Sequence, residues 1–257
     1  MYREAFEAAA GASAKKVNLL KKNPFGYVLL SVLAGMYIGF GILLAFTVGS
    51  QLGDNPFSGL VKGMIFGVAL SLVVIPGAEL FTGNNFVMGA GLLEKKVSLG
   101  QALSLWIVCW LGNLLGGCLL AVMFVNTGLD LPAVSAVFAK AAAAKMAAPA
   151  GQLVLRGILC NILVCLAVWS GFQSKSDSAK LIMIFWCLLA FFTTGFEHSV
   201  ANMTTFAVAL LKPAKVAAVS MDGMWHNLLW VTLGNMLGGL VFVAFPYWLA
   251  ARKTDEK

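Results

Sequence analysis

Few residues of this chain could do chemistry in an apolar setting, and most fall in two short runs. The first is Gly77-Ala78-Glu79-Leu80-Phe81-Thr82-Gly83-Asn84, and the second is Gly195-Phe196-Glu197-His198-Ser199-Val200-Ala201-Asn202. Glycine, glutamate and asparagine recur at the same spacing, with Glu79 and Glu197 118 residues apart. A carboxylate in low-dielectric surroundings is costly unless it is paired or hydrogen-bonded. Glu79 and Glu197 therefore form either a proton or ion site, or an acceptor for backbone freed at a helix break. Their equivalent positions favour the structural role, with Asn84 and Asn202 tying down the same loops. His198 breaks the equivalence, because Leu80 takes its place in the first run. Imidazole titrates near neutrality and can hand a proton to a weak-acid anion. It can also be a neutral ring bonded to a loop. Lys145, shortly before Pro149, is either a solvated loop lysine or an attractor for anions at an outer mouth. His226 reads as structural.

Several chemistries are excluded. No nucleophile constellation is present. Glu197-His198 lacks the second histidine of a zinc HExxH site, and no phosphate-cradling loop occurs. The cysteines (Cys109, Cys118, Cys160, Cys165, Cys187) are odd in number and lie in apolar runs. That pattern predicts core packing rather than a disulfide framework or a metal site. No catalytic residue, metal or cofactor is expected.

The elements that must position these residues are membrane helices. The chain is 60% hydrophobic and 11% charged, with mean hydropathy +0.87, whereas a soluble domain carries roughly 25% charged residues. Residues 25–53, 97–129 and 223–251 contain no Asp, Glu, Lys or Arg. About 20 apolar residues span the hydrocarbon. The pattern predicts an all-α protein of six spans, over 27–48, 58–93, 101–125, 151–172, 181–211 and 223–250. Spans 2 and 5 are too long for one straight helix. Breaks at 76–83, after Pro76, and at 195–202 resolve the excess. Irregular backbone at membrane depth survives only where protein or a cavity surrounds it.

Before the spans, residues 1–22 read as an amphipathic helix at the cytoplasmic face, with Phe6, Ala9, Ala10, Ala14 and Val17 at helical spacing. The alanine-rich connection 126–150 is expected to hold a surface helix. A charged tail occupies 251–257. With six spans both termini share one side, which holds twelve Lys and Arg against five opposite, leaving out Arg156 within span 4. That bias places the termini in the cytoplasm. The net charge of +7 then belongs to edges facing anionic lipid rather than to nucleic acid binding.

A second match orders the repeat. Leu111-Gly112-Asn113 in span 3 and Leu233-Gly234-Asn235 in span 6, each followed by a Gly-Gly pair, are 122 residues apart. Span 2 thus pairs with span 5 and span 3 with span 6, giving repeats over about 23–126 and 149–250. Three spans per copy make the repeat inverted, with both breaks meeting near the midplane. Half-helix N-termini turn positive ends inward and attract anions. Gly35 and Gly39 predict close helix contact in span 1.

The runs GAELFTGN and GFEHSVANM, with HNLLWVTLGN over His226–Asn235, resemble the formate–nitrite transporter family from about Asn23 to Trp248. The likeness is to the nitrite channel branch first, and hydrosulfide channels are similar. The resemblance implies an aquaporin-like protomer in a homopentamer, with a pore in each protomer of a prokaryotic inner membrane. It implies that His198 faces the pore, that Lys145 lies behind it and makes the site positive, and that Thr82 and Asn161 join the substrate path. It assigns apolar constrictions to Phe66, Leu70, Leu80, Phe81, Val164 and Phe191. The expected cargo is a small monovalent weak-acid anion, nitrite first, with hydrosulfide or formate as alternatives. A neutral-solute channel of aquaporin type also has six spans in an inverted repeat, but its paired Asn-Pro-Ala signatures are missing.

Overall fold

The computed structural model describes residues 2–212 and 219–252. Lys215 and the tail, apart from Ala251 and Arg252, lie outside the described residues. Those residues form helices throughout, with no strand among them. Helix α1 is Arg3–Lys22, α2 Pro24–Leu52, α3 Ser58–Val74, α4 Phe81–Leu93, α5 Leu99–Asn126 and α6 Pro132–Met146. The rest are α7 Ala150–Gln173, α8 Asp177–Thr193, α9 Ser199–Leu211, α10 Met221–Gly239 and, after a π turn at Leu240–Ala244, α11 Phe245–Ala251.

Local chemistry fixes several helix starts. Asn23 Oδ1 accepts the Gly26 amide at 2.9 Å, and Pro24 occupies the first helical position of α2, where its missing N–H leaves nothing unsatisfied. Ser98 and Gln101 form a reciprocal capping box on α5, at 3.3 and 2.9 Å. The π turn ends at Ala244, two residues before Pro246. Proline lacks a donor and crowds the carbonyl four residues back, and a widened turn accommodates both.

Helices α2, α5, α7 and the α10–α11 rod are each long and apolar enough to cross a membrane. Helices α3 and α4 hold 17 and 13 residues, about 25 and 20 Å at 1.5 Å per residue. Each is too short to cross alone, as are α8 and α9 with 17 and 13. The breaks are narrower than the sequence suggests. Helix α4 resumes at Phe81 and α9 at Ser199, because the helix begins as soon as its first amide finds a partner. Gly77 and Gly195 turn the chain at φ of 87° and 76°, a region where a side chain would be strained.

Helix α2 packs on α5, α7 on α10, and α3 on α8. The close approach expected at Gly35 is present: a Cβ there would land on the Asn113 carbonyl. Helix α1 forms over Arg3–Lys22, and its apolar face docks on α4. Phe6 is fully buried beside Phe86 and Trp169. Helix α6 lies at the surface, with Ala136, Lys140 and Ala144 exposed and its other face buried. It packs on α2 and α9, burying Phe138, Ala139 and Ala142.

Candidate functional site

The N-termini of α4 and α9 meet in the interior, where Thr82 Oγ1 lies 3.0 Å from His198 Nε2. Two asparagines hold the breaks in matching fashion. Asn113 Oδ1 accepts the Phe81 amide at 2.9 Å, while its Nδ2 donates to the carbonyls of Glu79 and Ser31 at 2.9 and 2.7 Å. Asn235 Oδ1 accepts the Ser199 amide at 3.0 Å, and its Nδ2 donates to the carbonyls of Glu197 and Gly157 at 2.9 and 2.8 Å. Buried backbone groups must be paired, and these side chains supply at each break what the interrupted helix cannot.

The glutamates sit in matching clamps. Glu79 Oε1 binds Lys16 Nζ of α1 at 2.6 Å, and Oε2 accepts from Asn84 at 3.0 Å. Glu197 binds Lys145 Nζ of α6 through both oxygens, at 3.0 and 2.9 Å, and Oε2 accepts from Asn202 at 2.6 Å. Both carboxylates are buried. Lys145 is thus neither a solvated loop lysine nor an unpaired cation. Lys16, Asn113 and Asn235 complete the site, yet sequence reasoning gave them no role. The two asparagines carried a signal in the LGN repeat. Lys16 carried only its place beside the apolar face of α1.

His198 is buried and caps α9, its Nδ1 accepting the Ala201 amide at 3.1 Å. An acceptor nitrogen holds no proton, so the neutral ring carries its proton on Nε2, toward Thr82. Phe191 stacks on the ring, with centroids 5.8 Å apart and planes 19° from parallel.

Two cavities flank this centre. The larger, about 450 Å³, is lined by Lys16, Leu70, Glu79, Leu80, Asn84 and Lys180 among others. The smaller, about 180 Å³, is bounded by Phe46, Lys145, Phe191, His198 and Asn202 among others. Between them Ile38, Phe66, Leu70, Val164, Leu188, Phe191 and His198 close a pinch with no room for a water molecule. Leu70 faces both the pinch and the larger cavity, and His198 and Phe191 face both the pinch and the smaller one.

The expected constriction residues divide accordingly. Phe66, Leu70, Val164 and Phe191 form the pinch, joined by Ile38 and Leu188. Leu80 lies on the wall of the larger cavity, and Phe81 is packed in the core. Asn161 lines neither cavity nor the pinch. Its Nδ2 donates to the carbonyls of Thr82 and Asn235 at 3.2 and 2.6 Å, so it braces Thr82 from behind. Among the described residues, no three His, Cys, Asp or Glu side chains converge on a metal position, and the cysteines are unpaired.

The profile described as Formate/nitrite transporter matches residues 3–249. The chain belongs to the formate/nitrite transporter family. Within this family it is similar to the "Nitrite transporter NirC" of Salmonella typhimurium (strain LT2), 42% identical over 257 residues, covering 100% of this chain and 94% of the relative. A solved structure titled "FNT family ion channel" aligns at TM-score 0.93 and 42% identity, over 96% of this chain and 99% of the other. A second, "Pentameric formate channel with formate bound", aligns at TM-score 0.79 and 30% identity, over 91% and 99%. Both alignments extend over nine-tenths or more of this chain, so the overall fold is shared with these two channels.

Proposed function

We propose that this chain is a channel, not an enzyme, for small monovalent weak-acid anions, with nitrite as its cargo. The observation that carries this is the pinch, where one polar side chain, His198, faces six apolar ones between two cavities. The similarity to a nitrite transporter points to nitrite, and the formate-bound relative keeps formate as the second candidate, with hydrosulfide of the same anion class. In this reading α3 with α4, and α8 with α9, each make one crossing. Six spans then form an inverted 3+3 repeat, five protomers assemble, and both termini face the cytoplasm of an inner membrane. Residues 1–22 lie on the cytoplasmic side, and the larger cavity opens there.

The arrangement supports a specific course. A bare anion meets a heavy desolvation penalty in a dry apolar pinch, and a neutral acid meets far less. The positive ends of α4 and α9 point at the centre and lower the cost of approach. His198 is ill placed to be the acid. With Nδ1 accepting a backbone amide, loss of the Nε2 proton would leave an imidazolate. Water in the cavities therefore supplies the proton. The His198 Nε2–H and the Thr82 hydroxyl offer the hydrogen bonds that the permeant species loses on leaving water. Lys16 and Lys145, each held by a buried glutamate, stabilise the breaks and add local rather than net positive field.

The test is flux into proteoliposomes containing the purified protein. Nitrite uptake is expected to acidify the lumen, because neutral acid that enters dissociates there and releases its proton, and to be competed by formate. Nitrite flux with no proton movement removes the neutral-acid route. Rapid water or glycerol swelling without anion flux removes the anion channel altogether.

A further inference from the structure

Of the lysines outside the clamps, Lys62 and Lys180 occupy corresponding places. Lys62 precedes Glu79 by 17 residues, and Lys180 precedes Glu197 by 17. Each stands in the first two turns of its broken segment, α3 or α8. A cation near a helix N-terminus opposes the macrodipole, so neither lysine is there to stabilise its helix. Both stand outside the pinch. Lys180 lines the larger cavity, and Ile184, one turn further in, lines it too. Lys62 lies one turn before Phe66 of the pinch. Its aliphatic stem crosses Gly49, one turn beyond Phe46 of the smaller cavity.

The two differ in their neighbours. Lys180 Nζ contacts Asp177 Oδ1 at 2.9 Å, and that carboxylate is 78% exposed. The residue corresponding to Asp177 is Gly59. Among the described residues Lys62 has no carboxylate within ion-pair distance.

We infer that Lys62 and Lys180 are the anion-capture residues of the two mouths, and that Asp177 tempers capture on the Lys180 side. This rests on the anion-channel reading. A mouth cation raises the local anion concentration before desolvation begins, and salt screens the effect. In a passive pore, permeability at low concentration must stay equal in both directions. Sidedness therefore shows in the half-saturating concentration.

The experiment measures nitrite flux against concentration in right-side-out and inverted membrane vesicles, at low and high ionic strength. Lys180→Gln is expected to raise half-saturation from its own side roughly fivefold at low salt, as removal of one nearby charge predicts. The effect should shrink at high salt and be much smaller from the opposite side. Lys180→Arg should retain the wild-type value, and Asp177→Asn should lower it. Lys62→Gln should show the mirror pattern. A salt-independent loss, an equal shift from both sides, or no shift in either glutamine variant while wild type carries nitrite overturns the inference. Wild-type protein that carries none of nitrite, formate and hydrosulfide overturns the anion-channel reading, and this inference with it.

Discussion

His198 uses its two nitrogens differently: Nδ1 closes the first turn of α9, and Nε2 meets the Thr82 hydroxyl at the N-terminus of α4. Two substitutions separate these roles. His198→Asn retains a good N-cap and removes the Nε2–H, so the fold should persist. Nitrite flux should fall about tenfold, the loss of one hydrogen bond to the permeant species. His198→Phe should lose flux and also lower thermal stability in detergent by about 1 kcal/mol, the usual worth of a cap. The clamps predict coupling. Lys145→Met leaves Glu197 buried without its cation and should cost roughly 3 kcal/mol, somewhat less than a fully buried pair because the lysine is partly exposed. Lys145→Met with Glu197→Gln should recover most of that loss in the same melting assay. Glu79, Glu197, Asn84 and Asn202 were legible in the sequence because they occur twice at one spacing. Lys16 was not, because its partner is 63 residues away and its helix precedes both copies of the repeat.

The breaks between α3 and α4, and between α8 and α9, depend on one asparagine apiece, on α5 and α10. Asn113→Leu and Asn235→Leu should each strand the first amide of the resumed helix, Phe81 or Ser199, at about 1–3 kcal/mol for a buried donor left unpaired. Hydrogen exchange should accelerate at Phe81 in the first variant and at Ser199 in the second, each leaving the other break protected. Exchange rising equally at both breaks would mean that each asparagine serves the whole interior. The existence of the breaks was legible from proline, glycine and segment length. Their limits were not, because Phe81 and Ser199 join their helices only through acceptors on α5 and α10. Burial of one face of α6 was equally hidden, since alanine suits an exposed helix and a tightly packed one alike.

For the molecule as a whole, the outward faces of the long helices carry large apolar side chains, such as Ile107, Leu111 and Leu115 on α5 and Leu229 on α10. Lipid and neighbouring protomers would cover them. Native mass spectrometry in mild detergent is expected to give a pentamer, and a monomer as the main species would refute that assembly. The order of the apolar helices was legible from hydropathy. The cavities and the pinch were not, because their walls combine residues as distant as Ile38 and His198 with no local pattern linking them. The matching clamps reach beyond the broken helices. Lys16 of α1 serves Glu79 as Lys145 of α6 serves Glu197, so the described chain divides into two halves, α1–α5 and α6–α11, that meet at Asn126-Thr127-Gly128, an exposed turn. Each half carries its own brace, its own break and its own asparagine. A chain cut after Gly128 and produced as two co-expressed fragments should therefore reassemble into a transporting complex, whereas a cut between α6 and α7 separates Lys145 from the half that needs it and should not.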